Sequence, residues 1–180
     1  VLKYAIGYAR DGFAIAPNCA SAIELVGPFF EAEWPTSAAL HLPGGNAPKA
    51  GELFKNPALA AMYGRLLKEA ESVGADRDTQ IEAARECWYQ GFIAEAIDAF
   101  CQTTEVMDTS GRKHKALLTG ADMAGYKAHY ETPVTLDYPA NGEVYTVAKP
   151  GPWTQGPVML QQLALLKGFP LADMDPTGAD

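Results

Sequence analysis

Basic residues are scarce and scattered in this sequence. The 14 Lys and Arg stand against 22 Asp and Glu, for a net charge of −8. Lys and Arg nowhere run beyond two in a row, and Arg112-Lys113-His114-Lys115 is the nearest thing to a cluster. No nucleic-acid partner is expected on this ground, because such binding rests mainly on neutralised phosphates. Long apolar runs are missing too, and none reaches the ~20 residues a membrane-spanning helix needs. There is no phosphate-binding P-loop, no dinucleotide fingerprint and no Gly-x-Ser-x-Gly nucleophile turn.

Cysteine is sparse and odd in number: Cys19, Cys87 and Cys101. Cys87 and Cys101 fall in a helical pattern. Fourteen residues of continuous helix would set them ~21 Å apart, beyond the ~7 Å a disulfide allows between Cα atoms. The three read as small buried thiols. Histidine is equally thin. His41, His114 and His129 do not pair at ligand spacing, so no metal site is expected. Asp173, Asp175 and Asp180 lack the Gly and terminal Glu of a calcium loop and read as solvated tail. No cofactor is implied.

What is present suffices for a folded domain or two small ones: 180 residues, 48% of them hydrophobic. Helical signals fill the first two thirds. "VLKYAIGYARDGF" puts Leu2, Ala5, Ile6 and Ala9 on one face, with Gly12 as a stop. "PNCASAIELVGPFFEAEW" continues at helical spacing, and Gly27-Pro28 should kink or split it. From Pro35 to Gly51 the density of Pro and Gly reads as a surface loop. Asn56 then caps a helix whose first residue is Pro57, with Leu59, Met62, Tyr63, Leu66, Leu67 and Ala70 in one stripe and Gly74 at its end. "RDTQIEAARECWYQGFIAEAIDAFCQTTEVM" is a long helical pattern broken near Gly91. Its Trp88, Tyr89 and Phe92 read as core aromatics. Thr119 and Asp122 form a capping box opening a short helix to about Lys127.

The period changes only after Pro133. "PVTLDYPANGEVYTVA" alternates around Asn141-Gly142, a hairpin signal, and Pro139 should limit the first strand. The stretch "KPGPWTQGPVMLQQLALL" follows. A Gly-rich loop before a helix could hold an anion, but Pro150, Pro152 and Pro157 remove three amide donors. Pro157 is an ordinary helix start, and the uncharged run from Val158 to Leu166 belongs inside something. The stretch therefore reads as a turn, covered by Trp153, that leads into a buried helix ending at Gly168. The first residues show neither an initiator Met nor a leader pattern, and the tail "DMDPTGAD" has no cap. The chain is expected to be a piece of a longer one.

Five stretches, "AIGYARDGFAI", "GELFKNPALAAMYGRLL", "CWYQGFIAEAI", "LLTGADMAGYKAHYETPV" and "YTVAKPGPWTQGPVMLQQLALLKGF", together resemble the gamma-glutamyltranspeptidases in order and spacing. The resemblance implies an N-terminal nucleophile hydrolase with a layered α/β/β/α core, cut by its own chemistry into a large and a small chain. This sequence resembles the C-terminal part of the large chain. The expected fold is mainly α with a small β component. Residues 1–130 would form a helical lobe, and residues 131–180 a hairpin and buried helix joining the core sheet.

In the family, the segment at Trp153-Thr154-Gln155-Gly156 reads as two Ser and two Gly after prolines. The departure resembles a branch that includes cephalosporin-acylase-like members. The family's nucleophile is a Thr that becomes the N-terminus of the small chain, and its donor-clamping Arg lies upstream of Val1. No catalytic residue is therefore carried over, no substrate-binding residue is assigned, and Thr119 is a cap. The expected partners are the rest of the large chain, the small chain and a gamma-glutamyl donor, with no membrane. A free-standing helical binding domain is the rival reading. No compartment is assigned: periplasmic, secreted and cytoplasmic parents all fit.

Overall fold

The computed structural model describes residues 2–175, 177 and 178. The chain divides into two units, Val1–Tyr126 and Lys127–Asp180.

In the first unit, helix α1 (Leu2–Asp11) buries Ala9 and ends at Gly12, whose φ is +98°. A Cβ there would lie 3.2 Å from Leu53 Cβ and 3.3 Å from the Phe54 carbonyl, so glycine serves both the turn and the close approach. Strand β1 (Phe13–Ala14) pairs antiparallel with β2 (Leu53–Phe54). The Phe13 and Phe54 rings meet edge to face at 5.9 Å.

Helix α2 (Pro17–Glu33) continues through Pro28, where a kink or a split was expected, and is not split. Pro28 removes the donor to the Glu24 carbonyl and sets its ring against it, a cost the rest of the helix carries. Gly27 is buried and lets Leu42 approach, with Leu42 Cδ2 3.4 Å from where its Cβ would be. The expected loop after Pro35 is partly helical. Helix α3 (Pro35–His41) starts with Pro35 in its first turn and is followed by a 3-10 turn, Pro43–Gly45. Proline fits that position because its missing N–H would be unpaired there anyway.

Helix α4 (Pro57–Glu71) follows the expected stripe, burying Ala60, Leu66 and Ala70. The Asn56 side chain accepts from the Leu59 amide at 2.9 Å, and the Asn56 amide donates to the Ala9 carbonyl at 2.8 Å. Helix α5 (Arg77–Tyr89) is capped by Asp76, which accepts from the Thr79 amide at 2.8 Å. Helix α6 (Phe92–Thr103) buries Ile93, Ala94 and Cys101. The break between them sits at Gly91, where a Cβ would come within 2.9 Å of Cys87 Cα. Packing runs in sequence: α1 on α4, α4 on α5 and α5 on α6. Alanine is prominent among the residues these helices bury: Ala9 of α1, Ala60 and Ala70 of α4, and Ala94 of α6.

A second hairpin was not foreseen. Strand β3 (Val106–Met107) pairs with β4 (Lys113–His114). Helix α7 (Gly120–Gly125) then closes the unit.

In the second unit, β5 (Val134–Ala140) pairs with β6 (Glu143–Lys149) about Asn141 and Gly142, with φ of 54° and 78°. Two positive values mark the type I′ turn that suits strand twist. β5 continues through Pro139, which lies opposite Val144, instead of stopping there. The pair flanking a two-residue turn exchanges both hydrogen bonds, so the next pair, Pro139 and Val144, exchanges none. The missing N–H is therefore not missed within the hairpin.

Helix α8 (Gly156–Leu166) packs on β5 and β6. Of this helix, read as buried, only Gly156 and Leu160 are inside. Val158, Met159, Leu165 and Leu166 are exposed. Lys167 Nζ donates to the Asp137 carbonyl at 2.9 Å.

Candidate functional site

The Gly/Pro loop before α8 was the strongest chemical candidate in the sequence. Thr154 organises it. Its amide donates to the Gly151 carbonyl at 3.1 Å. Its hydroxyl donates to the same carbonyl at 3.0 Å and accepts from the Gly156 amide at 3.0 Å. No side-chain base is among the partners of Thr154 Oγ1, the third of which is the Pro150 carbonyl at 3.4 Å. Gly156 is buried, and a Cβ there would collide with the Pro150 carbonyl oxygen. Trp153 does not bury itself over the junction. It stays 73% exposed, with its indole N–H donating to Glu131 Oε2 at 2.6 Å. The other Glu131 oxygen lies 3.4 Å from His129 Nε2. The loop is a hydrogen-bonded turn whose hydroxyl is spent on its own backbone.

The three histidines stay apart in function. His41 lies flat against Phe54, rings 5.4 Å apart and 8° from parallel, and its Nδ1 is buried with no hydrogen-bond partner among the described residues. His114 Nδ1 sits 2.7 Å from Asp108 Oδ2. The Ser110 hydroxyl, then the His114 ring and the Ser110 amide, hold the Asp108 carboxyl down to about 2. Among the described residues no group of three His, Cys, Asp or Glu could hold a metal ion. Asp175 accepts from the Thr177 amide and hydroxyl, each at 2.9 Å, in a local turn. Asp180 lies outside the described residues.

Thr119 is a cap in full. Its hydroxyl accepts from the Asp122 amide at 3.2 Å, and Asp122 Oδ2 accepts from the Thr119 amide at 2.9 Å. The helix it opens ends at Gly125, short of the expected Lys127. Asp98 adds a bond no local signal announced, accepting from the Gly120 amide at 3.0 Å.

All three cysteines are free. Cys101 is buried and Cys87 half-buried, but Cys19 is exposed, contrary to expectation, because Ala20 and Gly27 take the inward positions of α2. Burial first, and then the neighbouring Glu69, push the Cys87 thiol up, so it is not an activated nucleophile. Trp88, Tyr89 and Phe92 are half-buried. Tyr89 stacks on Tyr126, and Arg65 lies over Phe92 at 3.8 Å from the ring centre.

The sequence model of the family described as gamma-glutamyltranspeptidase matches residues 1–180. The chain belongs to the gamma-glutamyltranspeptidase family. Solved structures agree with that membership. Two forms of LmbA2991 are 55% and 50% identical over 91% and 99% of this chain, each with a TM-score of 0.76. The transpeptidase CapD of Bacillus anthracis is 25% identical over 98% of this chain and 50% of its own, with a TM-score of 0.64. The gamma-glutamyltranspeptidase of Helicobacter pylori is 19% identical over 97% of this chain and 42% of its own, at a TM-score of 0.67, a likeness of fold alone. This chain spans 27% and 28% of the two LmbA2991 chains. No curated protein matches it. The mainly helical fold with a small β component is that of a gamma-glutamyltranspeptidase segment.

Proposed function

We propose that the chain is part of an enzyme that transfers or hydrolyses gamma-glutamyl groups of glutathione-like donors through a glutamyl-Thr intermediate. The nucleophilic Thr, its amine and the oxyanion donors lie outside these 180 residues, and the segment is inactive alone. The observation that carries the reading is the family match along residues 1–180. The geometry supports the second half of it. Acyl transfer needs a nucleophile, a base and oxyanion donors converging on one point. The hydroxyls that stood out in the sequence, Thr119 and Thr154, are committed to a cap and a turn.

On this reading residues 1–130 form the helical lobe of the large chain. Residues 131–180 supply the hairpin and the helix that join the core sheet. The partners are the rest of the large chain and the small chain. The apolar residues that α8 leaves exposed support such a role, since a helix this poor in charge needs cover.

A second reading of the substrate rests on the loop. Trp153-Thr154-Gln155-Gly156 stands where the family carries two Ser and two Gly, and this departure favours a cephalosporin-acylase-like amide hydrolase.

The test is a pair of assays. The full-length protein and residues 1–180 are each incubated with a gamma-glutamyl anilide and with amide substrates carrying other acyl groups. Amine release by the full-length protein, with a covalent acyl group on a Thr beyond residue 180, is expected. An acyl group on Thr154, or turnover by residues 1–180, would overturn the proposal.

A further inference from the structure

A cleft of about 470 Å³ opens in the first unit where the end of α2, the start of α3, the end of α6 and the β3–β4 hairpin meet. Two long-range contacts fix its walls. The Trp34 indole N–H donates to the Met107 carbonyl at 3.0 Å, across 73 residues of sequence. Lys113 Nζ lies 2.9 Å from Glu33 Oε2, an ion-pair approach without hydrogen-bond alignment. Both tie the hairpin to the α2–α3 junction, so the cleft is preformed.

The cleft's chemistry is one-sided. Its charged residues are Glu33, Glu105 and Lys113. Lys113 is spent on Glu33, and Glu105 has no ion-pair partner among the described residues. An anionic ligand would meet a lysine already neutralised and an uncompensated carboxylate. Phe100 is 47% exposed on the apolar wall. The volume falls within the range of small-molecule sites, which pair apolar walls with a few polar groups.

We propose that this cleft binds a small organic amine. Its ammonium faces Glu105, its apolar body lies on Phe100, and the hydroxyls of Ser37 and Thr104 take any polar end. The site makes no use of acyl chemistry and stands or falls apart from the family's reaction.

The experiment titrates the full-length protein with 2-phenylethylamine, followed by calorimetry and ligand-observed NMR, with 3-phenylpropionate as the acid of similar shape. Saturable amine binding with a Kd on the order of 1 mM is expected for so small a probe. It should weaken as salt screens Glu105. Glu105→Gln should weaken it about two- to fivefold, and Phe100→Ala by at least as much. Both side chains are exposed, so neither change endangers folding. Equal binding of the acid, unchanged affinity in Glu105→Gln, or no saturable binding would each overturn the assignment.

Discussion

Helices α1, α4 and α6 bury apolar residues within the first unit, whereas α8 has a single hairpin to lie on. Among the described residues every buried apolar side chain except Leu160 belongs to the first unit: Ala9, Ile15, Ala20, Leu42, Ala60, Leu66, Ala70, Ile93, Ala94, Cys101 and Met123. Yet α8 is an uncharged run of Val, Met and Leu. Apolar content alone therefore does not make a core. A stripe is buried only where another stripe faces it, and a two-stranded hairpin with one helix offers too few faces. The first unit stands on packing, and the second on turn chemistry and backbone hydrogen bonds.

The sharpest way to break this contrast is Leu66→Ala. Leu66 is 4% exposed in the centre of α4, and its truncation should cost about 3 kcal/mol. Hydrogen exchange should quicken through α1, α4 and α5 while the amides of β5 and β6 keep their rates. A uniform loss across the chain would show that the units do not unfold separately. Next comes Gly156→Ala, which forces a methyl group onto the Pro150 carbonyl and should cost about 2 kcal/mol. Here the rates of α8 should rise while those of α4 hold.

Thr119→Ala removes the hydroxyl half of the capping box and should cost about 1 kcal/mol, seen as a lower denaturant midpoint of the first unit. Turnover by folded full-length protein should stay nearly level. A hundredfold loss at unchanged stability would make Thr119 a catalytic hydroxyl.

The smallest effect is a pH dependence in the β3–β4 hairpin. Asp108 is held at about 2 against an ordinary 3.8, first by the Ser110 hydroxyl and then by His114. A carboxyl depressed on folding stabilises above its unfolded value, and the contribution fades as pH falls through the folded value. Protection of the 106–114 amides, relative to the unfolded chain at the same pH, should therefore fall between about pH 4 and pH 2. Asp108→Asn should flatten that slope. Because Asp108 is exposed, solvent screening keeps the effect slight.

Where a structural cause was local, it could be read in advance. Asn56 with Pro57, Thr119 with Asp122 and Asn141 with Gly142 each carry their own geometry, and each acts as expected. Proline misled wherever its setting decided its effect. Pro35 starts a helix, Pro28 rides through one, and Pro139 sits inside a strand. The sequence reading also missed contacts between distant positions: Trp34 with Met107, Asp98 with Gly120, and Glu131 with Trp153. Trp34 with Met107 and Asp98 with Gly120 depend on how the first unit packs, whereas Glu131 and Trp153 flank the β5–β6 hairpin, whose register carries 131 to a place opposite 152. The β1–β2 and β3–β4 pairs were missed for another reason, since two residues are too few to show a period.

Pro139 also gives the β5–β6 hairpin a direction. Residues of non-exchanging pairs turn their backbone groups outward, so the outer rim of β5 lacks a donor at Pro139. Its acceptor at Asp137 is already taken by Lys167. The outer rim of β6 carries Val144, Thr146 and Ala148, with no proline and no such clasp. A strand arriving from elsewhere would find an interrupted row on one side and a continuous one on the other. The hairpin thus offers its more complete row of backbone partners along β6. An incoming strand should pair there, and Thr146→Pro should weaken that pairing.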